Sequence, residues 1–319
     1  MKILVVGYGS MARKHLDNLR LCYPHAELAV WCRPGLTRNK TGLCGLFYRA
    51  EEAIAWLPDY VIIASPASHH AEHVATFSAL GVPLLIEKPL AATLPQGERI
   101  LCCLQGPARL GYQLRYTEGY ATLRQWLPLL GPLCFARLEV GQYLPSWRPQ
   151  TPVNEMVSAR PDLGGGALLE LSHELDLLVG LLGLPTTIYG AQGPQSSLQL
   201  SVEESVELTL RYDTGTLVQV HMDMLQYRPC RKSKWLGASG QIEWDMLKNV
   251  LIHYDIHGRE VQRMQGYLSG SEVARRQLMA FIAQQDQQAL PEDGLLTLRV
   301  IDAARRSINS GQEERVYGG

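Results

Sequence analysis

Three short stretches bring together residue types that could do chemistry. Gly7-Tyr8-Gly9-Ser10-Met11-Ala12 has the form G-x-G-x-x-A. The first glycine allows a tight turn, the second lets backbone approach a pyrophosphate, and the small third residue lets a helix pack on a strand. Opening a helix, Ser10 and Met11 then offer backbone N–H groups and the positive end of the helix dipole to phosphates. Glu87-Lys88-Pro89 sets an ammonium beside a carboxylate. Such a lysine can hydrogen-bond a reacting oxygen, stabilise developing negative charge and relay a proton. Glu170, His173 and Asp176 lie at i, i+3 and i+6, so on a continuous helix His173 has a carboxylate one turn away on either side. Imidazole titrates near neutral pH and is suited to take a hydroxyl proton, with a carboxylate to orient it. Each pattern also has a plainer counterpart: turn glycines, a solvent-facing loop lysine, a histidine paired with a neighbouring carboxylate.

The elements around these residues decide between the two. Ile3–Val6 is an uninterrupted aliphatic run, as expected of a strand buried on both faces of a parallel sheet. A helix is expected over Met11–Leu21, followed by strands at Glu27–Cys32, Tyr60–Ser65, Leu84–Ile86 and Arg109–Tyr112. Helices at His70–Leu80 and Gln96–Leu104 separate the later strands. Strands alternating with helices imply right-handed crossovers and a doubly wound sheet. The glycine loop then sits at the end of a first strand, where a dinucleotide binds, and Lys88 at the carboxyl end of a parallel strand, where such sheets form their crevice. The second strand ends Val30-Trp31-Cys32-Arg33, with Arg38 and Lys40 close behind and no carboxylate at its tip. A carboxylate there would bind a ribose 2′-hydroxyl and repel a 2′-phosphate, whereas Arg33 can pair with one, so NADP is favoured over NAD.

Beyond residue 117 the period changes. Leu133–Tyr143, Val202–Tyr212, Thr216–Met224, Lys234–Ala238, Gln241–Trp244 and Val250–Tyr254 read as strands, several of them alternating. Asp213-Thr214-Gly215 and Ser239-Gly240 read as hairpin turns. One helix is expected over Gly166–Leu182 and two more over Ser271–Gln284 and Leu295–Ser310. The fold class is α/β: an N-terminal doubly wound parallel (Rossmann) sheet, residues 1–117, followed by an α+β domain, residues 118–319, with an open, mostly antiparallel sheet. An alternating apolar face on that sheet is expected to pair with another copy into a homodimer or homotetramer.

Length and composition agree with two domains. The chain has 319 residues, a net charge of −1, 46% hydrophobic and 19% charged residues. That is ordinary for a globular protein with a real core. A near-neutral chain lacks the basic excess that nucleic acid requires, and no apolar stretch approaches the length of a membrane span. The seven cysteines are scattered with no C-x-x-C pair, which suits a reducing compartment and a cytoplasmic protein; the sequon Asn39-Lys40-Thr41 is then a chance match. His69, His70 and His73 lack a partner set with metal-ligand spacing, and no metal is expected.

Taken together, the glycine loop, Ser65-Pro66-Ala67-Ser68-His69-His70, Glu87-Lys88-Pro89 and the segment from Gly164 to Asp176 resemble the Gfo/Idh/MocA family of NAD(P)-dependent sugar and inositol oxidoreductases. The resemblance runs nearly end to end, through the closing helix from Asp293 to Ser307. It implies that Ser65, Pro66 and His70 line the nicotinamide side, although Ala67 stands where the family has Asn. It implies that Lys88 is an active-site residue, often with a cis Lys-Pro bond, and that His173 is the proton acceptor; Glu87, directly before Lys88, is placed to tether it or to contact the cofactor. Asp176 would position the substrate, with Tyr112 and Arg115 bordering it. Glu170 precedes His173 by three residues where the family's acid precedes by four, which leaves its substrate role open. The activity implied is hydride transfer between NADP or NAD and a secondary hydroxyl, or its ketone, of a sugar, inositol or nucleotide-sugar. Two rivals are a redox-assisted glycosidase or lyase with a tightly held cofactor, and a cofactor-binding sensor without chemistry.

Overall fold

The computed structural model describes residues 1–35, 42–267, 269–285 and 289–318; Arg38, Lys40 and the sequon lie outside them. The chain forms two compact units, Met1–Gln113 with Gly270–Leu295, and Leu114–Ser269 with Leu296–Gly319.

In the first unit the chain alternates as expected: β1 (Lys2–Val6), α1 (Ser10–Cys22), β2 (Glu27–Trp31), β3 (Gly45–Phe47), α2 (Ala50–Ala55), β4 (Tyr60–Ile63), α3 (His70–Ser78), β5 (Leu84–Ile86), α4 (Leu94–Cys103) and β6 (Ala108–Leu110). The six strands lie in the order β3-β2-β1-β4-β5-β6, every pair parallel. Ile3, Leu4, Val5, Val6, Ile62, Ile63 and Leu85 are all 0% exposed. Continuous aliphatic strands of this kind are stable only where helices cover both faces. The strand order reverses between β1 and β4, so the crevice of a doubly wound sheet opens beyond their carboxyl ends.

The sequence did not announce β3 and α2. All three residues of β3 are only partly buried, so no apolar run marks it. The contiguous reading also placed every residue after 117 in one domain. Here Gly270–Ile282 forms a helix of the first unit, whose Leu278 and Phe281 join Val5, Leu16, Leu19 and Leu28 in one core cluster. Tyr60 stacks edge-on against Phe281 at 5.7 Å and donates to the Ile282 carbonyl at 3.2 Å. Local periodicity reveals that a helix has an apolar face but not which sheet it covers.

The second unit holds α5 (Glu118–Trp126), β7 (Leu133–Gly141), α6 (Ala167–Glu170), α7 (His173–Leu182), β8 (Thr187–Gln192), β9 (Ser205–Arg211), β10 (Leu217–Asp223), β11 (Cys230–Gly237), β12 (Gly240–Asp245), β13 (Val250–Tyr254) and β14 (Glu260–Gln265). After the first unit's α8 (Gly270–Ile282) come α9 (Pro291–Ser310), which begins in that unit and ends in this one, and β15 (Glu314–Arg315). The nine strands run β14-β13-β12-β11-β7-β10-β9-β8-β15. Only β7 and β10 pair in parallel; the others are antiparallel.

One face of this sheet carries the core, with Val206, Leu208, Val220, Met222, Trp235, Ile242, Trp244 and Leu251 at most 1% exposed. The other face is not the apolar surface the alternation suggested. Registers align Arg137 with Gln219 and Lys234, Glu139 with His221 and Lys232, and Lys234 with Glu243. Apolar side chains on this face lie at Phe135, Leu217 and Leu236 and, on β13, at Val250, Ile252 and Tyr254. The alternating aliphatics point inward, and opposite charges pair across strands on the outside. Within that ladder His221 lies 2.8 Å from Asp223 and 2.6 Å from Glu207. The hydrogen bond its ring donates to Asp223, helped by Glu207 and opposed by burial, raises its pKa to about 9. Among the described residues, no helix is long and apolar enough to cross a membrane.

Candidate active site

The glycine loop meets the demands of a dinucleotide. Gly7 has φ +100°, and a Cβ there would lie 2.8 Å from the Ala64 carbonyl oxygen at the end of β4, so only glycine lets β1 turn this closely. Gly9 is the N-cap of α1, with no side-chain cap, no acid in the first turn and open space where its Cβ would point. The first turn of this 13-residue helix, with the backbone N–H groups of Ser10 and Met11 and the positive end of its dipole, is the arrangement that holds a pyrophosphate. When bound there, a nicotinamide dinucleotide supplies a ring carbon that accepts or gives a hydride.

Beyond β2, Cys32 is buried and Arg33 is exposed, with Nη2 at 3.5 Å from Nε2 of His69. The three clustered histidines have separate partners. His73 Nδ1 lies 2.8 Å from Ser65 Oγ, and its ring packs edge-on against Trp31 at 4.8 Å and stacks on His69 at 5.7 Å. Burial, then the neighbouring His69, His70 and Arg33, lowers its pKa to about 4. Pro66 caps the short turn Ala67–His69 that leads into α3.

Lys88 lies two residues past Ile86, the last of β5, and the Lys88–Pro89 peptide bond is cis, as the family resemblance implied. Lys88 is partly exposed, whereas Glu87 is 5% exposed. The Glu87 carboxylate lies 2.6 Å from Nε2 of His15 on α1. His70, 1% exposed, places Nε2 at 2.9 Å from the Ser65 carbonyl and Nδ1 at 3.1 Å from the Leu90 carbonyl. Burial holds the His70 pKa below its usual range. Of the residues expected around the cofactor, Gly7, Gly9, Ser10, Met11, Arg33, Ser65, Pro66, His70, Glu87 and Lys88 thus occupy the ends of β1, β2, β4 and β5 and the helices that follow. Glu87 and His70 bond to protein groups there. Tyr112, expected beside the substrate, is 0% exposed.

In the second unit the expected single helix is two. Leu171, at φ −101° and ψ 19°, ends α6, and His173 is the first residue of α7. Glu170 and His173 therefore do not share an uninterrupted helical face, and the regular turn-by-turn spacing assumed from the sequence is lost between them. Gly166 begins α6 at φ +107°, and a Cβ there would lie 2.5 Å from the Glu203 carboxylate. Past His173 the carboxylates are committed. Asp176, 0% exposed, receives Arg115 Nη2 at 2.7 Å and Nε at 3.0 Å. Glu174, also 0% exposed, receives Arg231 Nε at 2.6 Å. The sequence reading set Asp176 and Arg115 against the substrate; in the structure they bond to each other. Glu174 and Arg231 escaped that reading, because a pair 57 residues apart leaves no local signal. Among the described residues, no three His, Cys, Asp or Glu side chains group to hold a metal ion.

Two family models match this chain. One, described as an oxidoreductase family with an NAD-binding Rossmann fold, covers residues 1–108; the other, the GFO/IDH/MocA C-terminal domain, covers 121–243. Inositol 2-dehydrogenase 2 of Paenarthrobacter aurescens is 27% identical over 248 residues, 70% of this chain and 68% of that protein. Inositol 2-dehydrogenase of Streptomyces avermitilis is 28% identical over 215 residues, 61% of this chain and 57% of that protein, so it is matched over little more than half its length. A solved levoglucosan dehydrogenase in complex with NADH is 17% identical and superposes over 100% of both chains with a TM-score of 0.84. The chain belongs to the Gfo/Idh/MocA family of NAD-binding oxidoreductases. Its enzyme class is that of an NAD(P)-dependent dehydrogenase.

Proposed function

We propose that this protein moves a hydride between NADP(H) and a secondary hydroxyl, or its ketone, of a sugar or inositol-type polyol, with Lys88 and His173 acting on the reacting oxygen. The observation that carries the reading is Lys88 at the carboxyl end of β5, in the same sheet whose β1 and β4 ends carry the glycine loop and Ser65. In oxidation the carbon gives up its hydrogen with the bonding electron pair. The hydroxyl proton passes to the His173 imidazole as the C=O bond forms, and the Lys88 ammonium donates a hydrogen bond to that oxygen. The curated relatives named inositol 2-dehydrogenases support a polyol as substrate class. Seven free cysteines support a reducing, cytoplasmic setting.

NADP is the cofactor we assign, because Trp31–Gly35 ends β2 with Arg33 exposed and no carboxylate. NADP(H) is expected to bind more tightly than NAD(H). Arg33→Ala should weaken NADP(H) by about 1.5–3 kcal/mol, roughly 10- to 150-fold in Kd, and leave NAD(H) nearly unchanged. Titrations following reduced-cofactor fluorescence measure both. Equal affinities in the wild type, or a preference for NAD(H), would overturn the assignment. A polyol panel scored by stoichiometric release of reduced cofactor tests the reaction itself, and turnover without net reduction would contradict it.

We also assign a homodimer or homotetramer built through the open face of the nine-stranded sheet. The apolar end at Phe135, Leu217 and Leu236, continuous with the paired charges of Lys234 and Glu243, supports this face as self-complementary. Light scattering at micromolar concentration should read a dimer or tetramer, and Leu236→Glu should shift it toward monomer. A monomeric wild type would refute it.

A further inference from the structure

The segment that carries Lys88 is held at both ends by buried imidazoles. At its start the Glu87 carboxylate, side chain 6% exposed, meets Nε2 of His15, side chain 1% exposed, at 2.6 Å. At its end the Leu90 carbonyl lies 3.1 Å from His70 Nδ1, on the ring whose other nitrogen is 2.9 Å from the Ser65 carbonyl. A neutral imidazole has one N–H, so His70 donates to one of these carbonyls at a time. The His15 contact is of the stronger kind, short, buried and with a carboxylate as acceptor. Among the described residues His15 Nδ1 is buried with no hydrogen-bond partner, so the polar commitment of this ring is to Glu87. Backbone fixes the same point from either side: Glu87 N donates to the Ile63 carbonyl at 2.9 Å and Gly111 N to the Ile86 carbonyl at 2.7 Å. A Cβ on Gly111 would lie 2.9 Å from Glu87 Oε2. The carboxylate is thus packed on one side and bonded on the other.

His15 has no place in the chemistry proposed above. It stands on the sixth residue of α1, the helix whose N-terminus presents the phosphate-binding N–H groups. Glu87, next to Lys88, is 5% exposed. We propose that His15 is a positioning residue for Lys88. Through Glu87 it ties the dinucleotide-binding helix to the exit of β5 and so sets where the lysine stands relative to the reacting oxygen. This rests on the reading that Lys88 acts on that oxygen. A catalytic group displaced by about 1 Å can cost on the order of 10²-fold in rate, so a tether that never touches substrate is still felt in turnover.

The test measures steady-state kinetics at saturating NADP and cofactor Kd for His15→Leu, His15→Gln, Glu87→Gln and Lys88→Ala in the full chain. His15→Leu keeps the ring's bulk and removes the donor, while a Gln amide reaches the same carboxylate. Expected is a fall in kcat of about 10- to 100-fold for His15→Leu, with polyol KM and cofactor Kd changed much less. His15→Gln should recover most of the loss. Combining His15→Leu with Glu87→Gln should cost little more than either change alone, because both remove one contact. The inference is overturned if His15→Gln falls as far as His15→Leu, if the loss appears in cofactor Kd instead of kcat, or if all folded variants turn over like the wild type. Should His15→Leu fail to fold, the Gln variants at 15 and 87 decide alone: the first near wild type and the second impaired, or the inference falls. Lys88→Ala separates the layers. If it is inactive and His15→Leu is not impaired, the tether fails by itself. If Lys88→Ala retains full turnover, the reading of the site fails first and takes the tether with it.

Discussion

Lys88→Ala and His173→Ala should each leave NADP(H) affinity nearly unchanged and lower turnover by roughly 10²–10⁴, the range for removing a general acid or base. Affinity is spared because, on the reading proposed above, the dinucleotide is held by the N-terminus of α1 and the exposed Arg33, away from the reacting carbon. Folding should be spared too. Lys88 is only partly buried, and His173 opens α7 after a Ser172 N-cap that makes no side-chain cap bond, so neither alanine opens a core cavity or removes a cap. Cofactor titration, steady-state rates and thermal melting on the same preparations give the answer. A drop in melting temperature with unchanged activity per folded molecule would make both residues structural and favour a cofactor-binding sensor.

Asp176→Asn should act in the opposite way, on stability first. Its carboxylate is 0% exposed and bonded twice by Arg115, whose side chain is 12% exposed. Removing the negative charge takes from a largely buried guanidinium its two-bond carboxylate partner, which typically costs about 3–5 kcal/mol. Arg115→Leu should cost a similar amount by taking the guanidinium from the carboxylate. Replacing both partners by apolar residues of like volume, Arg115→Met with Asp176→Leu, should restore much of the loss, since the pair's attraction largely offsets its desolvation. Glu170→Gln, at the end of α6 and partly exposed, should change melting far less. Chemical unfolding of the four variants measures this. An Asp176→Asn protein that melts like the wild type while its polyol KM rises would instead place the carboxylate on the substrate.

How much could be read beforehand follows from the range of each signal. The glycine loop needs only consecutive residues between a strand and a helix, and Gly7 at φ +100° is where that reading put it. The parallel strands were visible because both faces of Ile3–Val6 are buried. By contrast β14, exposed along nearly its whole length, has no alternation to detect. The helix break at Leu171–Ser172 was hidden because Leu168-Leu169 and Leu177-Leu178 keep an apolar helical pattern on both sides of it. The charges on the open sheet face are not legible in the sequence, because alternation reports that two faces differ without reporting which neighbours lie across the strands.

The sequence by itself determined the parallel Rossmann sheet, the mostly antiparallel second sheet, the dinucleotide loop and the presence of Lys88 at a strand end. All of these rest on contacts or periodicities within a few residues. Only the tertiary structure decided what the polar side chains do once there. Glu87 meets His15 across 72 residues, Arg115 meets Asp176 across 61, and α8 leaves the chain's second half to close the first unit's core. A buried charge must find a partner wherever the fold brings one, because leaving it unpaired costs several kcal/mol (~3–5 for one stranded partner). That partner is chosen by distance in space, and no spacing along the chain encodes it.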